Sequence, residues 1–592
     1  MKSFTFLANA LSLAWLVDIT TAQANQNALL RGPVFPAPSH PDTSKAVQAA
    51  RKAFPKVLDE ALSTGLLDNS TTSFSINVFS TSDNKTLLSH HFEAPGLNGS
   101  LPSGSLDDDT IYRIGSLSKL FTVYTLLAKN GFADFHQPIT KYIPELAAAD
   151  TNSSLNDVQW SDITVEALAS QMAGITRDYG IEDLANLQTL NATATGLPTE
   201  SNAPVCGFGP GFLKPCDRKE YIAGLLSQTP LTSTYNTPIY SNAGFVLLSL
   251  VIESITNQSF SAAFHTAILQ PLNMSRTSVI APNDTNIIIP GGLEQSDFLP
   301  DLGVEDPAGS FFSTPSDLIT LGRSILQSAI LPSALTRRWI QPHATTSHAL
   351  HLVGAPWEIF RQSIPISSTT NTTRLVDLYT KSGDIPNYAS ALALDTDHNI
   401  GFSILAAGSQ TTNNRGVLAS LIANTWVPAL EAAAREEANA TYIGTYTDTK
   451  TNTTLEITTD ADRPGLNVAT FIANGVNFKD SILAFNDVTP EQAAAAGVEV
   501  SIRLYPSGLS EGELVGFRAV VEILPYSPAS LLAPFDTWGD AWLTVDGTTY
   551  GAVGIDDFVF KLGGAGKTGT REAVEVLPRV LREGAGRVVK GA

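Results

Sequence analysis

Three short stretches hold residue types suited to nucleophilic attack on a carbonyl. In RIGSLSKLF, Ser116 and Lys119 stand three apart, on one face of the helix predicted from FTVYTLLAKNG. A serine hydroxyl is a weak nucleophile at neutral pH and needs a base. Lysine can be that base when burial or a second cation lowers its pKa. At the first turn of a helix, Ser116 would also bring backbone N–H groups close to the reacting carbonyl. A bare S-x-x-K is common by chance, and such a pair also serves solubility. In TPIYSNAGFVLLSLVIE, Tyr240 and Asn242 stand two apart at a strand or loop end. Tyrosine can relay a proton, and asparagine can grip a substrate amide or hold Lys119. Taken alone, the pair equally fits a packing aromatic before a helix N-cap. In RLVDLYTKSGDIPNYAS, Lys381 on an edge strand could bind an anionic group or depress a neighbouring pKa, and Gly383 lets a ligand approach the backbone. Taken alone, Lys381-Ser382-Gly383 also fits an ordinary strand end and turn.

The surrounding elements alternate between helix and strand. Residues 43–64 follow a helical period with one proline kink, FSINVFS and LLSHHFEAP pattern as a strand pair, and helices are predicted over 164–175, 217–228 and 243–256. RLVDLYTKSG, NYASALALDT and NIGFSILAAG read as strands, followed by a long helix over 415–436. Past Ala440 the texture changes to short alternating strands, with Asp546-Gly547 as a hairpin signal. The division is 1–24 signal peptide, 25–69 Pro-rich leader and helix, 70–438 catalytic domain, and 439–592 a small all-β domain, barrel or sandwich.

Composition narrows the class. The 592 residues exceed one core, and 43% apolar with 16% charged residues argues against disorder. A net charge of −21 excludes a nucleic-acid partner, since nothing offsets phosphate. The basic start, the apolar run FTFLANALSLAWLV and Ala22-Gln23-Ala24 form a secretory signal with its cleavage site, too short to span a bilayer, and no later stretch is apolar for long enough. Secretion predicts a disulfide between Cys206 and Cys216, with two free buried thiols as the alternative. It also predicts glycosylation at the sequons Asn69, Asn84, Asn98, Asn152, Asn191, Asn257, Asn273, Asn283, Asn371, Asn439 and Asn452.

In their order and spacing the three stretches resemble the serine β-lactamase and penicillin-binding-protein superfamily, closest to its class C and esterase branch. GFADFHQPITKYIPEL, ITVEALASQMAGI and PAGSFFSTPSDLITLGRSIL are similar to intervening segments of that family, over about 70–430. KSG stands where KTG or His-x-Gly is usual, and an insertion over 176–235 carries both cysteines. The resemblance implies an α/β fold of the β-lactamase/transpeptidase type, an antiparallel sheet flanked by helices with a helical subdomain. It implies that Ser116 forms an acyl-enzyme, Lys119 takes its proton, Tyr240 protonates the leaving group, Asn242 orients, and Lys381 tunes the pair and binds substrate. Ser382 and Gly383 would contact substrate, and the oxyanion hole would be the N–H groups of Ser116 and Asp384. No metal or cofactor is implied. The family's distribution suggests a fungal secreted enzyme.

Competing readings remain distinct. A Ser-His-Asp triad is disfavoured, because no G-x-S-x-G elbow stands between a strand and a helix, and His90 and His91 are expected on an exposed hairpin. The leading reading is a secreted hydrolase of a small ester, amide or β-lactam, extending to tailoring of a secondary metabolite. Its rivals are an acyltransferase of the same fold and a binding protein with a relic site. Lys567-Thr568-Gly569 is a literal KTG but is expected to be a loop with no strand leading into it.

Overall fold

The computed structural model describes residues 30–582 and 588–590, apart from 83–84, 98, 150–152, 182, 187–191, 199–202, 209–213, 294–295, 297, 367–371, 525–540 and 566–570. The signal segment 1–24 and the sequons Asn84, Asn98, Asn152, Asn191 and Asn371 lie outside the described residues.

The first amphipathic pattern folds as α1 (Lys45–Ser63), with the Ser44 hydroxyl accepting the N–H groups of Ala46 and Val47. Strands β1 (Thr72–Ser80) and β2 (Thr86–Phe92) follow. Ser116 lies in a 3₁₀ turn, Gly115–Leu117, that runs into α2 (Ser118–Asn130). Of the helix predicted over 164–175, only Val165–Ala169 forms, because Gln171 turns the chain with φ of 63°. The next two predictions appear as Arg218–Leu226 and as α3 (Ala243–Thr256). Strands β3 (Glu358–Pro365), β4 (Thr373–Ile385), β5 (Tyr388–Asp395) and β6 (Ile400–Gly408) lead into α4 (Thr411–Tyr442).

The antiparallel sheet runs β2-β1-β6-β5-β4-β3 and continues through the short strands His351–Val353 and Ala344–Thr345. Strands β1, β5 and β6 are buried along their whole length, so alternate side chains feed two cores. Phe74, Ile76, Phe402 and Ile404 pack with Phe54 of α1 and Trp426 of α4. Leu392, Leu394 and Leu405 join the cluster around α2 and α3. Strand β4 outruns β3: their pairing ends where Thr380 meets Glu358, leaving 381–385 bound on one side by β5.

Helix α4 is longer than the predicted 415–436. Contrary to the expectation from sequence, it is long and apolar enough to cross a bilayer by length and composition, yet half of that window is buried within the protein. Leu418, Ile422 and Trp426 cover the sheet, while Ala434, Ala438 and Tyr442 enter the core of the C-terminal part.

That C-terminal part is a closed barrel. Strands β7 (Gly444–Asp448), β8 (Thr453–Thr458), β9 (Leu466–Ala473), β10 (Glu499–Glu511), β11 (Leu514–Leu524), β12 (Asp557–Ala565), β13 (Arg571–Pro578) and β14 (Val588–Lys590) each pair antiparallel with their neighbours in sequence. Pairing of β7 with β14 closes the ring and removes both sheet edges. Tyr446, Leu455, Ile457, Val468, Phe517 and Phe560 fill it. The β domain also carries two short helices, Phe478–Phe485 and Pro490–Ala495, which join β9 to β10, the second opened by a Thr489/Gln492 capping box. Two expectations need correction. Asp546 does take a positive φ of 61°, but it turns within a loop tied to Asp556, and the nearby hairpin reverses at Gly551 and Ala552 instead. Lys567-Thr568-Gly569 lies outside the described residues, but strand β12 does run directly up to it.

Candidate functional site

Helix α2, the start of α3 and the overhang of β4 converge on one point. The Gly115 turn is stapled from behind: the Ser118 hydroxyl donates to Gly115 O (2.7 Å) and accepts Phe311 N–H (3.1 Å), and Thr122 donates to Pro307 O (2.8 Å). Lys119 is fully buried. Its Nζ contacts Ser116 Oγ at 2.9 Å, Asn242 Oδ1 at 2.6 Å and Ala308 O at 2.5 Å. Burial pulls the Lys119 pKa below its ordinary value, with Tyr240 opposing and Lys381 reinforcing the shift.

Tyr240 lies between the cations. Lys119 Nζ is 5.0 Å and Lys381 Nζ 5.5 Å from its ring centre, and the Arg177 guanidinium is 4.8 Å away. Burial resists ionisation of the phenol, but Lys119 and Lys381 outweigh it, so its pKa falls below the ordinary value. The loop carrying Tyr240 is pinned by Ser241, whose N–H donates to Gln171 Oε1 and whose hydroxyl donates to Thr176 O, both at 2.7 Å. Asn242 precedes α3, and its Nδ2 donates to Asp178 Oδ1 at 2.7 Å.

Lys381 is buried and its Nζ donates to Glu358 Oε1 at 2.5 Å and to Ser382 O at 2.7 Å. Burial lowers its pKa, yet Glu358 and Tyr240 more than compensate and raise it. The other oxygen of Glu358 accepts the Ser382 N–H (2.9 Å) and hydroxyl (2.7 Å). That hydroxyl is thus spent on Glu358, and Ser382 borders a separate cavity of about 410 Å³ beneath α4. Gly383 and Gly115 bring the two backbones together. A Cβ at Gly383 would fall 2.0 Å from Ile114 O and 2.8 Å from Ser116 N; one at Gly115, where φ is 52°, would fall 2.7 Å from Asp384 N. The Asp384 side chain turns away to Thr412 Oγ1 (2.7 Å) and Arg415 Nη1.

All five predicted catalytic side chains therefore meet, with Gly383 and the Asp384 backbone beside Ser116. Sequence reasoning missed their supports: Glu358, Asp178, Ala308 and Arg415. Ala308 alone had a signal, within the Gly-rich turn PAGSFF. The Cys206–Cys216 disulfide is present, and the described sequons Asn69, Asn257, Asn273, Asn283, Asn439 and Asn452 are exposed. A Ser-His-Asp array does exist elsewhere: Ser75 Oγ lies 2.8 Å from His91 Nδ1, and His91 Nε2 lies 3.4 Å from Asp108 Oδ1. Ser75 is buried against Tyr112, so substrate cannot reach it; His90 and His91 are half-buried, not exposed as expected.

Known proteins share this organisation. Residues 74–425 match the family model described as Beta-lactamase, and 434–589 match one described as Beta-lactamase-like-like, C-terminal domain. A "Beta-lactamase-like protein" of Arthroderma benhamiae is 30% identical over 564 residues, 89% of this chain and 91% of that one. "Probable hydrolase clz13" of Cochliobolus lunatus and "Probable hydrolase M10" of a Phoma species are each 27% identical, spanning 75% of this chain and 73% and 72% of theirs. The match over more than half the chain, together with a relative similar along nearly its whole length, shows that this protein belongs to the β-lactamase family of hydrolases and carries the C-terminal domain of its β-lactamase-like relatives.

Proposed function

We propose that the protein is a secreted serine hydrolase that cleaves a small ester, amide or β-lactam through an acyl-enzyme on Ser116. The observation that carries this reading is the 2.9 Å contact between Ser116 Oγ and a fully buried Lys119 of lowered pKa. Neutral Lys119 takes the hydroxyl proton as Oγ bonds to the substrate carbonyl carbon. The carbonyl oxygen gains the negative charge and meets the N–H groups of Ser116 and Asp384. Tyr240, held between two cations, passes the proton to the leaving oxygen or nitrogen. Water, deprotonated by the same pair, then attacks the acyl carbon and releases Ser116. Lys381 keeps a positive charge beside Tyr240 and offers it to an anionic substrate group.

The disulfide, the exposed sequons and the N-terminal signal pattern support secretion. The relatives named as probable hydrolases come from fungi, which favours small-molecule tailoring over cell-wall trimming. Purified protein should turn over p-nitrophenyl acetate or butyrate, and Ser116→Ala should lose that activity almost wholly, because nucleophile and base act as a unit. Equal turnover by the variant would sink the serine mechanism. Mass spectrometry with an acylating probe should place the adduct on Ser116.

A further inference from the structure

Two carboxyl groups, one largely and one fully buried, stand behind the lysine, and neither belongs to the motifs. The first is Asp178, in the loop after Val165–Ala169, with 12% of its side chain exposed. It accepts Asn242 Nδ2 at 2.7 Å and lies 3.5 Å from Arg177 Nε. An asparagine amide can present either end to a neighbour. Once Asp178 takes the NH₂ end, the carbonyl end must face Lys119, as it does at 2.6 Å.

The second is Glu305, at the end of a 3₁₀ turn, Gly303–Glu305, just ahead of Ala308. It is 4% exposed, and neither carboxyl oxygen has a hydrogen-bond partner among the described residues. The turn sits under the disulfide loop, since a Cβ at Gly303 would fall 2.8 Å from Pro215 and 3.3 Å from Cys216 O. An ionised carboxylate so deeply buried, with no hydrogen-bond donor among the described residues, would be very costly, so the group holds its proton. Burial drives its pKa far up; Asp178 and Asp306 push the same way and Lys119 opposes. The buried Tyr221 hydroxyl lies close enough to feel both: burial raises its pKa most, and Glu305 and Asp178 each raise it further.

We infer that Asp178 and Glu305 form a carboxyl pair that positions the base: Asp178, ionised, fixes the Asn242 amide and adds support to the Lys119 charge, while Glu305, protonated, keeps a second charge out of the same space. The positioning role rests on Lys119 being the base. The groups that face Lys119 are Tyr240, Lys381, Asp178 and Glu305; Arg177 faces Asp178, and Asp306 and Tyr221 face Glu305. With Glu305 neutral, Asp178 is the carboxylate of the pair that stabilises the Lys119 ammonium.

The test follows Lys119 itself by NMR of ¹³Cε-labelled lysine, assigned with Lys119→Met. Asp178→Asn should lower its titration midpoint by roughly half a pH unit or more, less than the 1–3 units of a direct pair because Asn242 intervenes. Glu305→Gln should leave the midpoint within about 0.2 unit, since one neutral group replaces another. Acylation of Ser116 by the probe should slow roughly tenfold in Asp178→Asn. An unmoved midpoint in Asp178→Asn, or an equal shift in Glu305→Gln, overturns the inference. Infrared spectroscopy of the unaltered protein gives a second readout: the C=O stretch of a protonated carboxyl, absent from Glu305→Gln. Its absence from the unaltered protein overturns the inference as well. The titration needs no turnover. If the midpoints move as expected while the probe fails to label any form, the acyl-enzyme reading fails and the carboxyl pair stands.

Discussion

Gly383→Ala tests the backbone geometry on which the proposed oxyanion hole depends. The added Cβ would fall 2.0 Å from Ile114 O, 2.6 Å from Leu117 N and 2.8 Å from Ser116 N. All three are main-chain atoms, so no side chain can swing aside. A carbon–oxygen contact settles at about 3.3 Å. Bringing 2.0 Å up to that value moves the β4 edge and the serine turn apart by about 1.3 Å. Strand β4 is the partner that yields, because its pairing with β3 stops at Thr380, opposite Glu358, and β5 alone flanks residues 381–385 among the described residues. Its retreat carries Asp384 N away from Ser116 N, outside the ~2.7–3.1 Å at which oxyanion donors act. Losing one such donor costs about 3 kcal/mol, a fall in kcat of about 10²–10³. Overpacking costs about 1–3 kcal/mol of stability, so the variant should still fold. The assay is single-turnover acylation and steady-state hydrolysis of a p-nitrophenyl ester, beside a thermal melt. A folded Gly383→Ala that keeps kcat within about tenfold of the parent would refute the oxyanion assignment.

Further outcomes follow from the charged groups. Glu358→Gln removes the partner that raises the Lys381 pKa and holds Ser382; with charge-assisted bonds at about 1.5–3 kcal/mol, kcat/KM should drop roughly 10- to 100-fold. Unchanged kinetics across pH would deny Glu358 that role. Far from the site, Arg374 Nη2 binds Glu431 Oε2 at 2.6 Å and its Nη1 binds Asp397 Oδ2 at 2.8 Å, while His398 bridges Asp395 Oδ2 (2.6 Å) and Glu431 Oε2 (3.1 Å). Burial disfavours the His398 charge, but Asp395 and Glu431 lift its pKa to about 10; burial likewise opposes Glu431 ionisation, but Arg374 and His398 hold it at about 2. A raised histidine stabilises fully below its unfolded value near 6.5 and loses that contribution as pH climbs toward 10. A depressed glutamate stabilises above its unfolded value near 4.5 and loses that contribution as pH falls toward 2. The melting temperature of the catalytic part should therefore hold between about pH 4.5 and 6.5 and fall on both sides, an alkaline plateau being the contrary result. Glu431→Gln leaves two buried cations under-compensated and should cost about 3–5 kcal/mol, read by denaturant melts; a loss below about 1 kcal/mol rejects the network as a stability element.

What the sequence revealed and what it hid divide along a physical line. Ser116 and Lys119 must share one helix face, Tyr240 and Asn242 one loop end, and Lys381 and Gly383 one strand, so each pair carries its geometry in local spacing. Those spacings are periodic and can be seen without a fold. Glu358, Asp178 and Arg415 owe their places to contacts made across the tertiary fold, and nothing in the residues around them marks their partners. The barrel shows the same division. Period-two alternation marks most of its strands, but closure depends on β7 meeting β14 across the whole domain, and no local pattern records that pairing. The misses inside it are instructive in another way. Asn477 and the Thr489/Gln492 pair are helix-start signals that stand in the sequence, yet they were outweighed by the strand texture around them. Asp546-Gly547 signalled a positive φ correctly, but a hairpin also needs two strands to join, and Asp556 draws that turn into a loop instead. The side chains proposed as catalytic were therefore the easiest residues to find, because that chemistry fixes their spacing within single elements. The groups that tune them are fixed only by the assembled fold, and for that reason the carboxyl pair behind Lys119, rather than the motifs in front of it, is where the structure adds most to the mechanism.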